Sequence, residues 1–163
     1  MIIEILDHKG RPIGAMDYSL IHSQNLNHYK VLVVPYMEDQ KICLIKLNPR
    51  SPSQDSVWDL PVNTHVPAYA SREETALKTL EYNLGLKIYP LNTFMRIFWK
   101  EENEFLCIYM GRCTNRPILS KNPQIEDITI FQISDLEFLM SKYPNLFSKE
   151  LHYLMEQRII QDI

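Results

Sequence analysis

The chain has 163 residues, a length that fits one domain with room for a proper core. Hydrophobic residues make up 45% and charged residues 23%, and the net charge of −3 with no long basic run argues against nucleic acid as a partner. No apolar stretch approaches the roughly 20 residues of a membrane helix, and the opening MIIEILDHKGRP lacks the charged leader, apolar core and cleavage site of a secretory signal, so no membrane contact is expected.

Ile2 to Leu6 reads as a short strand, followed by a turn over His8 to Pro12 that Gly10 and Pro12 punctuate. Residues 28 to 37 and 41 to 47 are apolar, β-branched runs around the polar Glu38-Asp39-Gln40, which predicts a hairpin. The segment from Asn48 to Ser56, with Pro49, Pro52 and three serines, is a loop. The clearest helix covers 71 to 84. Ser71 is its N-cap, Glu74 completes a capping box, and Ala76, Leu77, Leu80 and Leu84 form one apolar stripe. Gly85 supplies a left-handed C-terminal cap. Strand-like runs follow at 92 to 99, 104 to 111 and 128 to 132. Ser134 to Glu137 reads as a second capping box, opening a helix to about Lys142, and an amphipathic helix runs from about Lys149 to Ile160. With no repeat and no linker-like composition, one domain over 1 to 163 is expected. A mixed sheet between helices accommodates this order. Of the three cysteines, Cys43 and Cys107 fall in strand-like runs and read as buried thiols. No CxxC spacing occurs, and a reducing cytoplasm is the expected compartment.

Residues 58 to 86, WDLPVNTHVPAYASREETALKTLEYNLGL, resemble the Nudix box GX5EX7REUXEEXGU without a gap. Trp58, Leu80, Gly85 and Leu86 occupy scaffold positions. At the chemical positions Ala70, Thr79, Tyr82 and Asn83 stand for the four glutamates, and Lys78 for the Arg. Further motifs resemble the isopentenyl-diphosphate isomerase-like branch of the Nudix superfamily. They are Asp7, Gly10, Pro12 and Gly14; His22 and His28; Trp58-Asp59; Arg116-Pro117-Ile118; Ile125-Glu126-Asp127; and the Pro144 to Phe147 turn. The resemblance implies the Nudix fold, an α/β/α sandwich with a mixed β-sheet. Nudix proteins often dimerise, so a homodimer is also implied.

A Nudix helix holds Mg²⁺ against a diphosphate through its glutamates, because this hard cation wants carboxylate oxygens. Thr79, Tyr82 and Asn83 offer neutral oxygens, suited at most to substrate binding, and Ala70 offers nothing. Lys78 cannot make the two-pronged bond of an Arg. Glu73, Glu74 and Glu81 read as solvated helix charges. The isomerase holds its metal elsewhere, on three histidines and two glutamates. Carried over, these are His22, His28, His65, Glu102 and Glu104, a donor set that suits Zn²⁺ or Mn²⁺ better than Mg²⁺. Glu102 and Glu104, two apart, share a side if the chain is extended. Asn63 stands where the isomerase has a catalytic cysteine. Glu126 matches a loop glutamate that serves some Nudix enzymes as general base, so Glu104 and Glu126 are the catalytic candidates.

The expected function is that of a Nudix hydrolase-like protein descended from metal-dependent pyrophosphohydrolases of nucleoside-diphosphate-type compounds. Its catalysis is lost or strongly altered, and it keeps a pocket for a diphosphate-containing small molecule. Two alternatives stand beside it: a divergent pyrophosphohydrolase using glutamates outside the box with Mg²⁺ or Mn²⁺, and a non-catalytic interaction domain needing no cofactor.

Overall fold

The computed structural model describes residues 1–85, 87–88, 90–114, 117 and 120–163. Leu86 of the box, and Arg116 and Ile118 of the late motif, lie outside the described residues. The elements run β1 (Ile2–Leu6), β2 (Pro12–Asp17), α1 (Tyr18–Ser23), β3 (His28–Met37), β4 (Lys41–Leu47), β5 (Val57–Asp59) and β6 (Val62–His65). Then come α2 (Arg72–Leu84), β7 (Asn92–Trp99), β8 (Glu104–Arg112), β9 (Ile125–Gln132), α3 (Ile133–Lys142) and α4 (Lys149–Glu156).

Strands β1 and β2 form their own antiparallel pair. The rest make one mixed sheet along β5-β4-β3-β8-β7, with β6 added to β3 and β9 to β4. The hairpin of β3 and β4 turns where Asp39 and Gln40 adopt positive φ, the twist a tight turn needs. Its two strands pair only at Tyr36↔Ile42 and Met37↔Lys41. Beyond that they part. β5 fills the gap on the β4 side and β6 on the β3 side, with Leu60 buried at the tip of the wedge. Strands this short carry too little periodicity to be read from sequence.

Alternation along β3 sorts side chains between two cores. Val31 and Val33 pack with Ala76, Leu80 and Leu84 of α2. Leu32 and Val34 pack with Leu136 of α3 and Leu151 and Leu154 of α4. Helices therefore cover both faces of the mixed sheet, as the sequence reading expects. Each leucine fully withdrawn from water here contributes about 1.5–3 kcal/mol.

Helix α2 ends as anticipated. The Ser71 hydroxyl accepts from the Glu74 amide at 3.3 Å, and Gly85, at φ 67°, closes the helix by donating to the Glu81 carbonyl. The Glu74 side chain pairs with Lys78 at 2.7 Å rather than returning to the cap. Three expectations need correction. Helix α3 begins at Ile133, not at a Ser134 box; the Ile133 amide donates to the Gln40 carbonyl, so a tertiary contact replaces the cap. Helix α4 stops at Glu156, short of Ile160. Arg158 takes a left-handed conformation and turns the buried Ile159 and Ile160 onto the core. Strand β9 starts at Ile125, so Glu126 lies in a strand, not in a loop.

Candidate functional site

Strand β3 runs between β8, to which it is parallel, and β6, to which it is antiparallel. The register sets His28 opposite Glu104 and Lys30 opposite His65. Residues 28 and 30 share the parity of Leu32, which points to the α4 side. These four side chains therefore gather on one face of the sheet, and Glu150 of α4 comes down onto them from above.

The distances describe a tight, buried centre. His65 Nε2 donates to Glu104 Oε2 at 3.1 Å, and His28 Nε2 lies 3.3 Å from the same oxygen. Lys30 Nζ donates to Glu150 Oε1 at 2.6 Å and stands 3.6 Å from Glu104 Oε2. His28 Nδ1 donates to the Leu26 carbonyl at 2.8 Å, which pins the ring and turns Nε2 inward. The Tyr18 ring lies against that of His65, tilted by 37° with centroids 4.3 Å apart. Two buried atoms, His28 Nε2 and Glu104 Oε1, have no hydrogen-bond partner among the described residues.

The electrostatics follow from this packing. Burial pushes the Glu104 carboxyl up, but His28, His65 and the Lys30 ammonium outweigh it and hold the group well below the usual carboxylate range. Burial would likewise discharge Lys30, yet Glu104 and Glu150 keep it protonated and raise its pKa. Glu150 is held low by Lys30 against its own burial. Burial lowers His65. One step outward, Asp59 on β5 accepts from Ser148 Oγ at 2.7 Å, Asn63 Nδ2 at 2.9 Å and the Leu60 amide at 2.7 Å. Its burial nevertheless drives the carboxyl up to about 6. Ser148 is also the N-cap of α4, so the acid ties the wedge to that helix.

Above this floor opens a cavity of about 830 Å³, walled by Lys30, Asp59, His65 and Glu150 and rimmed by Arg50 and Asp55 of the 48-to-56 loop. A volume of this size holds a nucleotide-sized molecule.

Of the five proposed metal ligands, His28, His65 and Glu104 bring one donor atom each within 4.8 Å of one another. His22 and Glu102 stand outside that group. His22 is exposed on α1 beside Tyr18, and Glu102 ends a 3-10 turn with its carboxylate 2.7 Å from Lys149 Nζ. Asn103, at φ 55°, breaks the extended path that would have put Glu102 and Glu104 on one side. Glu126 accepts from Ser56 Oγ at 2.6 Å and lies 3.7 Å from Lys46, apart from the centre. Sequence reasoning missed Lys30 and Glu150. Both carried a signal: a charge two residues from His28 within an apolar strand, and a carboxylate on the helical face of Leu151 and Leu154.

The box helix lies on the opposite face of the sheet from this centre. Asn83, which the resemblance aligns with a box glutamate, is buried. Its amide donates to the Pro61 carbonyl at 2.7 Å and its oxygen accepts from Asn122 at 3.0 Å. Tyr82 is half exposed, its backbone carbonyl receiving the Lys121 amide. Thr79 is partly buried. No carboxylate occupies Ala70, Thr79, Tyr82 or Asn83, so the box does not fit Mg²⁺. The His28, His65 and Glu104 donors fit a transition metal in kind and spacing; the neighbouring ammonium does not.

No family model matches the sequence, and no curated protein matches it. Solved structures do match. The DR0079 protein of Deinococcus radiodurans superimposes with a TM-score of 0.76 at 16% identity, over 96% of this chain and 98% of that one. A Nudix hydrolase of Nitrosomonas europaea gives 0.59 at 15% identity, over 80% and 86%. The Nudix domain of Shewanella oneidensis NrtR, complexed with ADP-ribose, gives 0.56 at 12% identity, over 76% and 88%. At such identities the likeness is one of fold, and the fold is the Nudix fold.

Proposed function

We propose that this chain is a Nudix-fold binding protein. It takes a diphosphate-containing small molecule into the 830 Å³ cavity and does not hydrolyse it through the box. One observation carries the reading: Asn83, where a metal-binding glutamate would stand, is committed to Pro61 and Asn122 as a structural bracket. Lys78 supports it, being paired with Glu74 within the same helix. The cavity rim carries Arg50, a fork of donors suited to phosphate oxygens. ADP-ribose, held by the Shewanella domain, is the natural first ligand to try.

A second reading has a specific observation behind it. The open His28 Nε2 and Glu104 Oε1 atoms suit a transition metal shared with His65, which would polarise a phosphate oxygen when bound. A homodimer and a cytoplasmic setting are compatible with both readings.

The deciding experiment joins thermal unfolding to a hydrolysis assay, which reads AMP and ribose 5-phosphate from ADP-ribose and inorganic phosphate from the other compounds. ADP-ribose, nucleoside diphosphates and isopentenyl diphosphate are each added with Mg²⁺ or Mn²⁺. Binding at a hundredfold over Kd stabilises the fold by about 2.7 kcal/mol. No shift with any compound sinks the binding proposal. Hydrolysis that Glu104→Gln abolishes sinks its non-catalytic clause and favours the second reading.

A further inference from the structure

The centre on β3 carries its own positive charge, and that charge stands where a metal would compete for it. Lys30 is no loose surface residue. Its side chain is 9% exposed, its ammonium is bonded to Glu150 Oε1 at 2.6 Å, and it lies 3.6 Å from Glu104 Oε2. Glu104 and Glu150 are themselves 4% and 5% exposed. The ammonium cannot withdraw without leaving the Glu150 carboxylate buried and unpaired, a costly state in a low-dielectric interior. It cannot drift along the strand either, because the sheet register holds residue 30 opposite His65 and residue 28 opposite Glu104. Any cation taken up by His28, His65 and Glu104 therefore shares the Glu104 carboxylate with a fixed ammonium. Repulsion between like charges at such range is strong where water is excluded.

Charge balance points the same way. Two ionised glutamates meet one lysine in direct contact; His65 donates to Glu104, and the His28 ring stands 3.3 Å from the same carboxylate. Lysine suits this position because its ammonium is a compact point charge with three donors that can serve both acids.

We infer that Lys30 is the resident cation of this centre. It occupies the electrostatic place of a divalent metal at the His28, His65 and Glu104 donors, so the native centre is metal-free, and removing the ammonium alone converts it into a transition-metal site. The inference stands whether or not the cavity binds a diphosphate, and it decides against the second functional reading.

The test is Zn²⁺ titration of the full chain against a competing chelator, with Co²⁺ absorption reporting nitrogen and oxygen coordination. Four proteins are compared: the wild type, Lys30→Met, Lys30→Met with Glu150→Gln, and that double variant with His65→Ala added. The double variant removes the acid that the single one strands, and circular dichroism checks that each folds. The wild type is expected to hold no stoichiometric, chelator-resistant zinc. The folded single and double variants bind one Zn²⁺ at least about tenfold more tightly than the wild type, and His65→Ala removes that gain. Stoichiometric, chelator-resistant zinc in the wild type overturns the inference whatever the variants do. So does a folded double variant with no gain in affinity. Ligand-induced stabilisation, measured separately on the wild type, tells failure of the binding proposal apart from failure of this one.

Discussion

At the scale of single residues, Asp59 makes the sharpest pH prediction. Its folded pKa of about 6 lies above the ordinary 3.8 because burial outweighs three hydrogen bonds. Between these values the folded protein keeps a proton that the unfolded chain has lost. Stability from this group is therefore present at low pH, declines as pH rises through the window, and is gone above it. The difference amounts to about 3 kcal/mol. Glu104 and Glu150 are shifted the other way, so their contribution is present at neutral pH and lost on acidification. Asp59→Asn removes only the first effect. Urea unfolding should show the variant gaining about 3 kcal/mol relative to wild type between about pH 4 and pH 6.5. A pH-independent difference would refute the assignment.

At the scale of elements, the two helix faces respond differently to change. Asn83→Glu restores a box carboxylate on paper, but it removes the donor to Pro61 and leaves a charge at a buried position. A loss of about 2–4 kcal/mol is expected, and denaturant midpoints read it directly; an unchanged midpoint would mean that the bracket holds nothing. Ser148 has two tasks. It caps α4 by accepting from the Leu151 amide at 3.2 Å, and its hydroxyl donates to Asp59. Ser148→Ala should cost about 1–2 kcal/mol, with Ser148→Thr recovering most of it. It should also raise the Asp59 pKa further, visible as a pH dependence moved to higher pH.

At the scale of the whole molecule, the Nudix fold is present, its helix α2 carries no carboxylate at residues 79, 82 and 83, and a separate charged centre is built on the other face of the sheet. Millimolar Mg²⁺ alone should move the unfolding midpoint by less than about 2 °C, because Mg²⁺ wants carboxylate ligands, which residues 79, 82 and 83 do not supply. A shift of several degrees would place a Mg²⁺ site somewhere in the fold and weaken the proposal.

Much of this was legible in the chain. Apolar, β-branched or strand-like runs announced β3, β4 and β8, and Ser71, the apolar stripe and Gly85 announced α2, because these signals are local and recur within one element. The resemblance named His28, His65 and Glu104 along with His22 and Glu102, and the first three do gather. Tertiary structure decided the rest. His22 and Glu102 fell away because α1 is exposed at His22 and the chain bends at Asn103, conformations that residue type does not dictate. The Lys30–Glu150 bond joins residues 120 apart in sequence, and it exists only because the register of β3 and the seat of α4 bring them to one point. Sequence by itself determined the longer strands, helix α2 and the residue types at the box positions, since these depend on nearby residues. Which charges meet in the interior was decided by packing, because burial and strand register belong to the assembled fold.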